Sequence, residues 1–166
     1  MSVTSVVKDP EAKTMTVTAE FDAAVERVWE IWADPRQLER WWGPPTYPAT
    51  FEEHDLTPGG SVTYFMTGPE GDTPRGWWKV IAVDAPHSLE FEDGFSDDAG
   101  NPNPDMPVMT MRVSIEGQAD GRARMTIVTT FPSLEAMEQL TAMGMEAGIK
   151  AAVSQIDDLL AEARQV

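Results

Sequence analysis

Residues 13–45 read KTMTVTAEFDAAVERVWEIWADPRQLERWWGPP, and this stretch decides the fold. From Lys13 to Phe21, Met15, Val17, Ala19 and Phe21 alternate with Thr14, Thr16, Thr18 and Glu20, which is the period of a half-buried strand. Asp22 then reads as the N-cap of a helix whose Val25, Val28, Trp29 and Trp32 recur at three and four residues. Asp34 restarts the chain as the cap of a second short helix, with Pro35 in the first turn and Gln37 placed to return a capping-box bond. One strand and two short helices thus precede Trp41-Trp42-Gly43-Pro44-Pro45, where glycine and proline force the chain to turn and extend.

Working outward, the interval from Tyr47 to Phe131 is cut by turn signals at Pro58-Gly59-Gly60, residues 68–72, Asp84-Ala85-Pro86 and Ala119-Asp120-Gly121. Six strands fit between them: Tyr47 to Asp55, Ser61 to Thr67, Gly76 to Val83, Ser88 to Asp93, Met106 to Glu116, and Arg122 to Phe131. The connection from Gly94 to Asp105 is rich in Asp, Asn and Pro, has no apolar period, and reads as an exposed loop. Ser133 caps a long final helix reaching about Ala163, with Thr141, Met145, Gly148, Ile149, Ala152, Val153, Ile156, Leu159 and Leu160 on one face.

This order predicts an α+β fold in which a curved seven-stranded antiparallel sheet wraps around the long C-terminal helix, since each has one apolar face to bury. Residues 13–163 make one domain, preceded by a flexible segment over residues 1–12. A cavity between sheet and helix follows from the same patterning.

The chain has 166 residues, 12 Lys plus Arg against 28 Asp plus Glu, and a formal net charge of −16. Such a surface repels phosphate backbones, which excludes nucleic acid as a partner. No Cys is present, so disulfides, thiolate zinc sites and Cys nucleophiles are excluded. No signal peptide or spanning run is seen, which argues against membrane insertion and for a cytoplasmic protein.

Trp41-Trp42-Gly43-Pro44, residues 55–60 (DLTPGG), residues 84–91 (DAPHSLEF) and the Gly148-centred final helix resemble a known family. It is the activator-of-heat-shock-protein-ATPase C-terminal-like branch of the START-like (SRPBCC) helix-grip superfamily, and the likeness spans roughly Thr14 to Leu160. The resemblance implies the helix-grip fold. It also implies a choice among functions, because the superfamily includes lipid and polyketide carriers, hormone receptors, aromatic polyketide cyclases and a cochaperone domain. One departure stands out: the bulky Trp that commonly follows the helix glycine in this branch is Ile149 here.

Strand parity supplies the candidate cavity wall: Val62, Tyr64 and Met66; Phe91; Met109 and Met111; Met125 and Ile127. Met145, Gly148, Ile149 and Ala152 face them from the helix, and Trp32, Trp42, Phe51 and Trp78 complete the set. Gly148 costs helix stability, about 1 kcal/mol relative to Ala, so either a strand approaches it closely or a ligand needs the space. The ten Met residues suit an adaptable wall and equally suit ordinary core filling. Trp77 and Trp78 must point to opposite sheet faces, and parity leaves open which is inside. An outward Trp beside Phe65 would make a patch for a homodimer contact.

Other constellations carry less. Glu52-Glu53-His54-Asp55 looks metal-like, but strand alternation splits it between two faces unless a bulge intervenes. His87 sits in a turn, and the acidic loop after Asp97 misses the EF-hand spacing. With no triad, Walker loop or dinucleotide fingerprint, no catalytic residue, metal or cofactor is assigned. The reading is a binder of a small hydrophobic or amphipathic ligand, lipid- or polyketide-like, oriented by Tyr64 and acting as carrier, sensor or sequestering protein. The alternatives are a cochaperone-like module with a chaperone partner, and a polyketide cyclase or dehydratase, for which no buried acid or base stands out.

Overall fold

The computed structural model describes residues 3–164. Eight strands form one fully antiparallel sheet: β1 (Val3–Asp9), β2 (Thr14–Phe21), β3 (Ala49–His54), β4 (Ser61–Met66), β5 (Arg75–Asp84), β6 (Ser88–Ser96), β7 (Met109–Gly117) and β8 (Ala123–Thr130). Their order across the sheet is β1-β2-β8-β7-β6-β5-β4-β3. The first hairpin therefore docks against the last strand, and the remaining six strands run as a meander.

The count corrects the expected seven. The extra strand comes from residues 3–9, within the segment read as lying outside the domain, and β1 pairs with β2 from Val3↔Ala19 to Asp9↔Thr14. A register shift between Val3 and Ser5 turns both Val3 and Val6 toward the core, three residues apart, which erases the period of two.

Helix α1 (Val25–Ala33) starts from Ala24, not Asp22, and no side chain caps it. Helix α2 (Pro35–Leu38) does start from Asp34, whose carboxylate accepts from the Arg36 backbone N–H at 2.9 Å and from the Gln37 side-chain amide at 3.0 Å. These bonds hold the Asp34 carboxyl below its usual range. Trp32 is fully buried, and its ring meets Trp41 edge-on at 4.7 Å between centroids. Trp78 stacks on Phe91 at 4.0 Å, which resolves the Trp77-Trp78 pair: Trp78 is inside.

The C-terminal helix is bent rather than continuous. It consists of α3 (Leu134–Ala142), α4 (Met145–Ser154) and α5 (Ile156–Arg164). Ser133 caps α3 as expected, accepting from the Ala136 N–H at 3.0 Å. The break after α3 falls at Gly144, whose φ of 89° is the left-handed conformation that ends a helix most cheaply at glycine. Because of that break Thr141 is exposed instead of joining the inner face. The other expected positions, from Met145 to Leu160, do turn inward.

Candidate functional site

Where α3 and α4 bend over the sheet they leave a cavity of about 360 Å³. Its wall is built from four parts of the chain: the Trp41-Trp42-Pro44 segment after α2, β4, β6 with β7, and the α3–α4 bend. Gln155, at the α4–α5 junction, pins the first of these by donating to the Gly43 carbonyl at 2.7 Å.

Nine of the sixteen expected wall residues line this cavity: Trp42, Tyr64, Met66, Met109 and Met111 from one side, and Met145, Gly148, Ile149 and Ala152 from the helix. The other seven do not. Trp32, Phe51, Val62, Trp78, Phe91, Met125 and Ile127 are buried in the core beneath it. The inner sheet face is longer than the cavity, so alternation identifies inward residues without separating wall from core. A Cβ placed on Gly148 would meet nothing within 4 Å. Close approach of a strand is thus not the reason for this glycine, and its missing side chain is space.

The wall residue that sequence reasoning missed is Asp93. It is 8% exposed, lines the cavity, and accepts a hydrogen bond at Oδ1 from the Tyr64 hydroxyl at 3.1 Å. Asp93 shares parity with Leu89 and Phe91, so the inward signal was there. It was obscured by the polar stretch from Gly94 to Asp105, which reads as an exposed loop and puts Asp93 at a strand end; β6 instead continues to Ser96, and Phe95 also reaches the cavity. Burial pushes the Asp93 carboxyl up to about 7, while the bond from Tyr64 holds it lower than burial alone would. Burial, and then the neighbouring Asp93 charge, raise the Tyr64 phenol well above its usual range. The indole N–H groups of Trp42 and Trp78 bear on the Tyr64 oxygen and favour its ionised form, though neither makes a well-formed hydrogen bond. The expectation that no buried acid stands out is therefore overturned.

The discounted residues lie elsewhere. A bulge does occur between Phe51 and Glu53, yet Glu52 pairs with Arg75 at 2.8 Å and His54 Nε2 meets the Trp32 carbonyl at 3.0 Å. Among the described residues no cluster of three His, Asp or Glu could hold a metal ion. On the outer face, Trp77 lies across Gly94 and donates to the Phe95 carbonyl at 3.2 Å, and the Arg75 guanidinium covers Phe65. The expected apolar patch is half-covered by the chain itself. Among the described residues no helix is long and apolar enough to cross a membrane.

A family model described as activator of Hsp90 ATPase homolog 1-like protein matches residues 22–161. The chain belongs to this family. Solved structures similar to the chain include a crystal structure from Mycobacterium smegmatis, 52% identical, with a TM-score of 0.87 over 95% of this chain and 96% of that one. A solution structure from Arthrobacter aurescens is 53% identical, with a TM-score of 0.93 over 97% and 93%. A more distant solution structure from Staphylococcus epidermidis is 26% identical and keeps a TM-score of 0.82 over 96% and 94%. No curated protein matches the chain. The helix-grip architecture is thus shared across wide sequence divergence.

Proposed function

We propose that this protein binds a small, largely apolar molecule in the cavity between the sheet and the bent C-terminal helix. The observation that carries the reading is the cavity itself: about 360 Å³, walled by Met, Trp and Ile side chains, with one polar pair, Tyr64 and Asp93, set into it. Apolar walls supply affinity and a few placed polar groups supply orientation, which is the usual division of labour in ligand sites. The family is compatible with this role, since the superfamily it resembles includes carriers of lipids and polyketides.

Native mass spectrometry of the freshly purified protein, followed by denaturing extraction, tests it by seeking an adduct of a few hundred daltons. Uptake of the neutral fluorophore N-phenylnaphthylamine provides a second readout. Gly148→Trp should fill the cavity, abolish uptake and leave the melting transition intact. A wild-type protein with neither adduct nor uptake defeats the proposal.

One observation favours a second reading, proton transfer on the bound molecule. A carboxyl ionising near neutrality beside a phenol is suited to general acid–base work. In that case the extracted ligand gains solvent deuterium in the presence of the wild type and not of Asp93→Asn.

A further inference from the structure

The polar group in the cavity is an acceptor with one side still free. Tyr64 donates to Asp93 Oδ1, and among the described residues Asp93 Oδ2 has no hydrogen-bond partner. Among those residues the Tyr64 hydroxyl is the one donor it meets, and that bond favours the charged form of the carboxyl against the cost of burial. No cation among the described lining residues answers that charge: none of them is Lys, Arg or His. On the overlying helix α4, Glu146 is paired to Lys8 at 2.8 Å and Lys150 is exposed.

Aromatic rings flank the same spot. Trp42 stands edge-to-face to Tyr64, with centroids 6.0 Å apart and planes at 80°, and to Trp41 at 5.8 Å and 74°. All three line the cavity. Rings set at right angles beside a carboxylate form a corner suited to an organic cation, which gains from ring quadrupoles as well as from the opposite charge. The net charge of −16 draws cations toward the molecule and repels anions.

We propose that the cavity is selective for a protonated amine carrying an apolar body, with the ammonium N–H donating to Asp93 Oδ2 and the hydrocarbon lying along the methionine wall beneath Gly148. This rests on the cavity reading above and adds the ligand's chemical class. Fatty acids and other anionic amphiphiles are rejected, because their carboxylate would face Asp93 with no cation between them. Among the described residues, Tyr64 is the one other titratable group lining the cavity. Because the empty site holds its proton to about pH 7, an incoming ammonium must displace that proton in more acidic solution. Affinity then falls about tenfold for each pH unit below 7.

The test uses three probes with one chain, decylammonium, decanol and decanoate, measured by isothermal calorimetry and by tryptophan fluorescence at pH 8 and pH 5.5. Decylammonium should bind at least about tenfold tighter than decanol at pH 8, with decanoate weakest, and its advantage should vanish at pH 5.5. In Asp93→Asn the ratio of decylammonium to decanol affinity should fall to about one at both pH values. Should the variant fold poorly, the pH series on the wild type decides the same question. Decanol binding as tightly as decylammonium at pH 8, or an amine advantage that survives in Asp93→Asn, overturns the proposal and leaves the cavity reading standing. Failure of all three probes to bind overturns both.

Discussion

Tyr64 on β4 lies directly opposite Gly76 on β5, and a Cβ on that glycine would collide with both the phenol oxygen and ring carbon Cζ. The ring reaches Asp93 only because the opposing residue has no side chain. Gly76→Ala should displace the phenol, weaken its bond to Asp93 and cost about 1–3 kcal/mol, the usual penalty for overpacking. Urea denaturation measures the loss; a variant as stable as wild type would mean that the ring can shift freely.

Removing only the hydroxyl asks a different question of the same pair. The Tyr64 bond holds the Asp93 carboxyl lower than burial alone would, so Tyr64→Phe should move its midpoint above about 7. Carbon-detected NMR titration of the carboxyl reads this directly. A midpoint that stays put or falls would show that the bond does not favour the charged form.

Asp93 also makes stability depend on pH, with a sign opposite to that of a salt-bridged carboxylate. Its folded midpoint of about 7 lies above the ordinary value of 3.8. Below both values the proton is bound in either state. Between them the unfolded chain releases it while the folded chain keeps it, so stability falls as pH rises, and above about 7 the loss is complete. The whole effect is on the order of 4 kcal/mol, of which about 2–3 kcal/mol accrues between pH 5 and pH 8. Asparagine does not titrate, so Asp93→Asn should gain on the wild type by that amount across the interval. Parallel stability curves for the two proteins would contradict it.

The same residue shows why parts of the site were illegible in the sequence. Alternation places Leu89 and Phe91 on the inner face, but the Asp-, Asn- and Pro-rich stretch from Gly94 reads as a loop, which leaves Asp93 at a strand end. Pairing with β5, from Trp78↔Asp93 and Trp77↔Gly94 on to Gly76↔Phe95 and Arg75↔Ser96, keeps the strand going. Strand β1 was hidden for a related reason, since a bulge spaces its two inward valines three apart and most of its side chains are exposed. In the last helix the apolar stripe was readable from Met145 to Leu160, but the left-handed turn at Gly144 was not. A glycine within a helical period is tolerated at modest cost as readily as it breaks the helix. The meander, the two short helices and the methionine face were legible because each rests on a period of apolar residues several turns or strands long. The division of the inner face into cavity wall and packed core depends on where the bent helix stands away from the sheet, and no local pattern encodes that distance.

Gly148 separates the cost of a cavity from the cost of a helix. It lies inside α4, has no backbone conformation that demands glycine, and would gain a methyl group without touching anything. Gly148→Ala should therefore stabilise the protein by about 0.5–1 kcal/mol through helix propensity, visible as a higher melting temperature. The methyl group projects into cavity space, so affinity for a bound molecule should fall while the fold becomes more stable. A variant that melts lower than wild type would show that the helix needs this glycine for packing, and the opening beneath it would lose its standing as a site kept clear for a ligand.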